Sequence, residues 1–507
     1  MQKESAFTEL KKNGLGKSFP LHTVGYVLIA ESILMFLCTV VLGFREERIV
    51  LYALASVTGA VVGALLLFLF RSPNRIDTST GVFTMVFLWA AAIAYGCIPY
   101  VIYGFSTPDA IFESISGFTT TGMSIVTNVA ELPPSILVWR ATTGWAGGIG
   151  FIIVFCLMLK FFNLNNRNLF VSEGLNSTVS NSNRSIRNLA LNFIAVYTIL
   201  TGILAVILAI LGNDVIDSVC ISMSTISTTG FSTLNEDLMG MSMASKTFIA
   251  IFLLLSAMNF MTLFDAVTGM NIRRFLEDSE IRHMIYWLIG SSVALLIILD
   301  QSGYMDWNAT NVVNTILMVI SIGTTTGFVF YNFSWPTVAM LFLSIIAMIG
   351  GCRESPTGGI KISRISLIFK SLRNTISTVG FPNEVRSVRL GGVYVKESIC
   401  YAGILTVLLF FITSAVGTLS IMLSGVDVMD AFYLCISSLT TTGTGLYSVA
   451  NVASIPNFAQ GVMCALMCLG RMEIMLILVM FTPTFWKEFS NNIRASMYRI
   501  ANSIKRT

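Results

Sequence analysis

Four times the chain breaks a long apolar stretch with the same polar phrase. It reads DAIFESISGFTTTGMS from Asp109, DSVCISMSTISTTGFS from Asp217, NTILMVISIGTTTGFV from Asn314 and DAFYLCISSLTTTGTG from Asp430. The register is the same each time. An Asp or Asn leads, a serine follows at a fixed interval (Ser116, Ser224, Ser321, Ser437), and Ser/Thr-Thr-Thr-Gly closes the phrase. A period of about a hundred residues marks an internal repeat, which dictates architecture before any local propensity does.

Each phrase lies between two apolar runs. The pairs are Val82–Tyr103 with Ile136–Phe162, Leu189–Leu211 with Lys246–Thr268, Tyr286–Leu299 with Thr337–Ile349, and Cys400–Leu423 with Ala459–Thr482. Tyr26–Leu42 and Leu51–Phe70 precede them. Many of these runs approach the ~20 residues that cross a bilayer as a helix. Only 11% of the residues are charged and 54% are hydrophobic, whereas a soluble chain carries roughly a quarter charged residues. The expected fold is an all-α polytopic membrane protein. Two N-terminal transmembrane helices (1–75) lead into four helix–pore-loop–helix repeats arranged with pseudo-fourfold symmetry, at 76–165, 166–275, 276–375 and 376–507. That gives ten full spans and four short segments. The first run lacks a small-residue cleavage pattern and reads as a retained helix.

The short segments cannot span. Asp109 to Thr121 as a helix covers only about 18 Å. Such a segment enters and returns on one side, and its non-helical backbone must be buried in protein or line water. The leading Asp or Asn suits a helix N-cap. Lys and Arg concentrate before the first span (Lys3, Lys11, Lys12, Lys17), after the second (Arg71, Arg75), in alternate links and in the tail (Lys505, Arg506). The positive-inside rule then places both termini in the cytoplasm and the half-helix starts outside. Because these basic stretches are dispersed over several short links, nucleic-acid binding is not expected.

Four half-helices around one axis aim their C-terminal ends at one point, each carrying roughly −0.5 of an elementary charge. That favours a cation. The strands above can turn carbonyls inward to replace the water shell of a monovalent ion. The candidate binding residues are Thr120, Thr121 and Gly122; Thr228, Thr229 and Gly230; Thr325, Thr326 and Gly327; and Thr441, Thr442 and Gly443. Glycine permits a backbone that a Cβ opposes. The threonine hydroxyls can bond back to the half-helix or contribute an oxygen. No carboxylate occupies these positions, which disfavours a divalent ion.

Catalysis finds little material. The histidines are His22 and His283 alone, and no CxxC or metal-ligand spacing occurs among nine cysteines. No cofactor is expected in the chain; the cation is substrate.

At these phrases the sequence resembles the Trk/Ktr/HKT superfamily of potassium transporters, and its two extra N-terminal spans resemble the TrkH/TrkG type. WRATTGWAGGIGF (Trp139–Phe151), IGGCRESPTGGIK (Ile349–Lys361) and GRMEIMLILVMF (Gly470–Phe481) fit as well. The resemblance implies potassium selectivity from the four glycines, transport across a bacterial inner (plasma) membrane, a homodimer, and a TrkA-type cytosolic nucleotide-binding ring supplied by another polypeptide. It also implies a gating loop in the second helix of repeat three. There Gly350, Gly351, Pro356, Gly358 and Gly359 interrupt a helical run; the alternative is a plain turn between two helices. Arg471, an intramembrane arginine, is functional by default: it repels the ion, latches the loop, or simply bonds helix carbonyls. Arg140, near the outer start of its span, is expected to reach the interface. A sodium or mixed-cation permease and an ion-coupled potassium symporter of the same fold stay open.

Overall fold

The computed structural model describes residues 18–42, 49–70, 78–161, 186–268, 278–331, 335–380, 389–390, 393–395, 397–443, 452–472 and 474–490. Its regular secondary structure among these residues is helical except for one two-residue antiparallel pairing, Arg389–Leu390 against Val393–Tyr394. The chain forms two compact units. One comprises 1–114, 134–139 and 472–507, the other 115–133 and 140–471. The division runs through the first repeat.

In the first unit α1 (Phe19–Leu42) and α2 (Ile49–Leu69) form an antiparallel hairpin. Small residues let the two backbones touch, as membrane helices require when lipid is as apolar as leucine. A Cβ on Gly25 would stand 2.8 Å from the Gly63 carbonyl oxygen, and one on Gly63 equally close to that of Gly25. α3 (Thr78–Gly96) docks through Tyr95, whose hydroxyl donates to the Ala55 carbonyl (3.0 Å) and pairs with Ser32 Oγ (2.9 Å). Gly59 leaves room for that ring. The short α4 (Ile98–Tyr103) follows.

The rest is the repeated motif. The half-helices are α5 (Thr107–Phe118), α8 (Val215–Ile226), α12 (Ala309–Gly323) and α16 (Val428–Leu439). At 12 to 15 residues they reach only ~18–22 Å, short of the ~30 Å hydrocarbon core. First helices of repeats two to four are α7 (Ile186–Ile210), α11 (Ser279–Gln301) and α15 (Glu397–Met422). The second helices are α6 (Pro134–Phe161), α9 with α10 (Met243–Ala257, Phe260–Thr268), α13 with α14 (Thr337–Ile349, Ile362–Gly380), and α17 with α18 (Asn457–Arg471, Ile474–Met480).

The sequence leads to ten full spans, one of them interrupted by the repeat-three loop. Among the described residues seven helices are long and apolar enough to cross continuously, or eight with α17 and α18 counted together. The shortfall has a physical origin. The second helix breaks in repeats two, three and four, not in repeat three alone. At the first break Met258 turns extended, and Asn259 Oδ1 accepts from Thr262 N–H (3.2 Å) to start α10.

The caps also differ from expectation. Asp214 and Asp427, not Asp217 and Asp430, are the N-caps, accepting from Ile216 and Met429 N–H. In repeat three Asn308 caps α12, so Asn314 lies inside the helix, buried. That half-helix is 15 residues long where the others have 12: about one extra turn. The leading residue of each phrase marks the first turn or beyond, where only Asp still favours the positive end of the helix dipole.

Candidate functional site: a ring of four threonine–glycine turns

The four half-helices end in one turn repeated without variation. The backbone N–H of Thr121, Thr229, Thr326 and Thr442 donates to the carbonyl of Ser116, Ser224, Ser321 and Ser437, each at 2.9 Å. The residue before each, Thr120, Thr228, Thr325 and Thr441, sits at φ 52 to 54°. This left-handed conformation costs a β-branched residue of order 1–3 kcal/mol and persists only where the surroundings impose it. Gly122, Gly230, Gly327 and Gly443 follow at φ 73 to 80°. A threonine and a glycine both at positive φ, four times over, rotate successive carbonyls away from the helical direction.

The turns meet. A Cβ on Gly122 would fall 1.8 Å from the Thr229 carbonyl oxygen, one on Gly230 1.9 Å from that of Thr326, and one on Gly443 2.1 Å from that of Thr121. Glycine is therefore required twice over, by φ and by contact with the neighbouring repeat. The contacts run one to two, two to three and four to one, which sets the turns side by side in the order three, two, one, four.

The hydroxyls divide into two sets. Those of Thr121, Thr229, Thr326 and Thr442 pair with Thr119, Ser227, Thr324 and Thr440 at 2.6–3.0 Å, and these four bond back to half-helix carbonyls. Those of Thr120, Thr228 and Thr441 are buried and have no hydrogen-bond partner among the described residues. The bond back toward the half-helix, one of the two expectations for the hydroxyl, is thus made by the second set of threonines through their neighbours. Three of the four repeated serines brace the exit: Ser116 Oγ donates to the Met123 carbonyl (2.5 Å), Ser321 to Phe328 (2.8 Å) and Ser437 to Gly443.

The glycine-rich segment of repeat three lies against this ring. Gly358 N–H donates to Thr325 Oγ1 (2.8 Å), the fourth threonine of that set. A Cβ on Gly358 would stand 2.0 Å from the Thr440 carbonyl oxygen and 2.4 Å from Thr441 Oγ1. Gly350 and Gly359 take positive φ, and Gly350 touches the Gly358 carbonyl. Gly351 abuts Ala257, whose carbonyl, freed where α9 breaks, accepts Cys352 N–H (2.9 Å). Lys361, itself at φ 79°, folds back inside the segment to Ser355 and Thr357 oxygens. Arg353 pairs with Glu280 at 3.2 Å.

Arg471 ends α17 and is 3% exposed. Its guanidinium donates to the Pro356 carbonyl in the loop and to the Gly147 carbonyl in α6 (3.1 Å), and stacks 4.7 Å over Phe151. Of the three sequence-level options, contact with the loop and with a helix carbonyl are both realised.

Arg140 does not reach the interface. It is 2% exposed, its Nη1 donates to the Ser232 carbonyl (3.3 Å), and its guanidinium lies 4.3 Å from the Phe231 ring centroid. Sequence position gave no hint of this, because the partner comes from the next repeat. Glu473, and the link residues Arg71, Arg75, Arg167 and Arg273, lie outside the described residues.

Comparison with known proteins shows a family for the chain. The TrkH family, described as cation transport protein, matches residues 52–490. The Trk system potassium uptake protein TrkH of Salmonella typhimurium is 32% identical over 426 residues, 82% of this chain and 88% of that protein. The Trk system potassium uptake protein TrkG of Escherichia coli strain K12 is 25% identical over 92% of this chain and 98% of its own. The crystal structure of the potassium transporter TrkH from Vibrio parahaemolyticus matches with a TM-score of 0.82 at 26% identity, covering 92% of this chain and 98% of that one.

Proposed function

The chain belongs to the TrkH family of cation transport proteins, a multi-pass membrane protein and not an enzyme, and from that premise we propose that it is the potassium-conducting subunit of an uptake system, gated from the cytoplasm. The relatives named as potassium uptake proteins support the substrate. The observation that carries the reading is the set of four identical threonine–glycine turns, each in contact with a neighbouring turn.

Potassium sheds its water where inward carbonyls of the turns replace it, with the negative ends of four half-helices beneath. No carboxylate is required, so the ion is held without being trapped. An inside-negative potential drives it inward with about 2.3 kcal/mol per charge per 100 mV.

The gate is the repeat-three loop, formed by Gly350, Gly351, Gly358 and Gly359. It rests on the ring through Gly358 and is tied to α17 by Arg471. Breaking the Arg471–Pro356 bond would free a segment that no helical ladder retains. The subunit works as a homodimer in the bacterial inner membrane with both termini cytoplasmic, and a TrkA-type nucleotide-binding ring supplies the opening force. Most basic links behind the orientation lie outside the described residues, so it rests on sequence.

The test is potassium, rubidium and sodium uptake in a transport-deficient cell carrying Gly122→Ser or Gly443→Ser. Both variants should still insert yet lose potassium-over-sodium discrimination, because the new Cβ meets a neighbouring carbonyl at 1.8 or 2.1 Å. Unchanged discrimination in both would overturn the filter reading. Equal native uptake of sodium would favour a mixed-cation permease, and uptake that follows a proton gradient would favour a coupled symporter.

A further inference from the structure

Beyond the ring the chain of repeat three leaves Gly327 as Phe328–Val329–Phe330. This exit strand is gripped from outside its own repeat. Val329 N–H donates to Asp237 Oδ2 at 2.6 Å, and Leu238 N–H donates to the Val329 carbonyl at 3.2 Å. One residue on, the Lys246 ammonium donates to the Phe330 carbonyl (3.3 Å) and to that of Met239 (2.8 Å). These grips come from the outer link of repeat two and the start of α9. From its own repeat the strand receives Ser321, on the Phe328 carbonyl at 2.8 Å, and Met318, whose sulfur accepts the Phe330 N–H at 3.4 Å.

The grip is a built feature. Asp237 sits at φ 53°, a conformation it holds while facing Val329, and its Oδ1 is buried with no hydrogen-bond partner among the described residues. Lys246 is 6% exposed. Buried charged groups contribute stronger hydrogen bonds than neutral ones and fix geometry more than they stabilise. Repeat one does the same to repeat two with a single group, Arg140 on Ser232 and Phe231. The device is a side chain in the outer part of one repeat holding the exit strand of the next.

We infer that Asp237 and Lys246 are positioning residues that set the ion preference of the pore by fixing the exit strand of repeat three. The inference rests on the filter reading above. The Thr326 carbonyl lies against Gly230, and its placement depends on where the chain is held beyond Gly327. Released at Val329 and Phe330, the turn gains freedom to adjust its carbonyls to a smaller ion, and discrimination between alkali cations falls with that freedom.

Asp237 lies outside the membrane-spanning helices, and burial raises its carboxyl from 3.8 to about 7 against the lowering effect of Val329, Ser232 and Leu238. The charged side chains around it are Glu236, adjacent in sequence, Lys246, which holds the same exit strand at Phe330, and Arg140, which holds Ser232. The carboxylate, present above pH 7, is the stronger acceptor for Val329 N–H. The grip therefore tightens as external pH rises through about 7 and slackens as it falls. Folding stability has the opposite sign. A raised acid binds its proton more tightly when folded, so its contribution is fully present below about 4 and is lost as pH rises to about 7.

The experiment measures potassium-over-sodium permeability from bi-ionic reversal potentials of the full chain reconstituted in liposomes, between external pH 6 and 8. It compares the native chain, Asp237→Ala, Asp237→Asn, Lys246→Met and a control, Gly327→Ser. Asp237→Ala and Lys246→Met should each lower the ratio about tenfold, the equivalent of one hydrogen bond to a charged group. Asp237→Asn keeps an acceptor for Val329 and should hold the ratio of the native chain at low pH, with no pH dependence. If Asp237→Ala keeps the native ratio and pH profile while Gly327→Ser lowers the ratio, the inference is overturned and the filter reading stands. If Gly327→Ser also changes nothing, the filter reading itself has failed. Should Asp237→Ala not fold, Asp237→Asn decides alone: a native pH profile there contradicts the inference.

Discussion

At the scale of single residues, the site depends on threonines held where threonine resists being. Thr120, Thr228, Thr325 and Thr441 all take positive φ, and three of their hydroxyls are buried without a hydrogen-bond partner among the described residues while the fourth is engaged by Gly358. Strain with orphaned oxygens is the pattern of a site organised for something it must bind. Arg471 belongs to the same scale. Replacing it by glutamine removes the donors to Pro356 and Gly147. Uptake without the regulator should rise by about tenfold as the loop loses one charged hydrogen bond, and Arg471→Lys should restore part of the closure. Tracer influx in cells lacking the regulator reads this directly; influx unchanged in Arg471→Gln would leave the latch without a role. The twelve ring residues were legible in the sequence because their register repeats. Arg140 and Lys246 were not, because each acts on a strand from another repeat, and no local pattern records that distance.

At the scale of elements, the breaks in the second helices were only partly legible. Glycines and Pro356 announced the break in repeat three. Met258–Asn259 carries no such signal, yet α9 ends there because its last carbonyl is taken by Cys352 of the loop. Tertiary contact decided the boundary. The caps misled in the other direction: the aspartate nearest the apolar run was chosen, although Asp214 and Asp427 lie one turn earlier. The loop is packed as tightly as a core. Gly358→Ala should drive it off the ring, since the new methyl would meet the Thr440 carbonyl at 2.0 Å, and overpacking of this kind costs typically 1–3 kcal/mol. We expect raised basal conductance with potassium selectivity retained, because the turns themselves are untouched. Single-channel recording separates the two quantities, and a fall in selectivity without a rise in conductance would place the loop in the filter and not beneath it.

At the scale of the whole molecule, one chain supplies four quarters that homotetrameric symmetry would otherwise have to provide. Freedom from symmetry is visible in the differences between repeats. One half-helix is a turn longer, one second helix is unbroken, and one repeat alone carries the loop. The overall fold was legible because apolar length and a repeated polar phrase leave few alternatives in a bilayer, where unpaired backbone is excluded. The order of the quarters was not, since it follows from glycine–carbonyl contacts between segments far apart in sequence.

The most direct measurement is anomalous diffraction from crystals of the full chain soaked in rubidium. The account predicts a peak on the axis of the ring, within coordination distance of the Thr121, Thr229, Thr326 and Thr442 carbonyl oxygens, and its displacement by potassium. A rubidium peak elsewhere in the chain with none on that axis would contradict it.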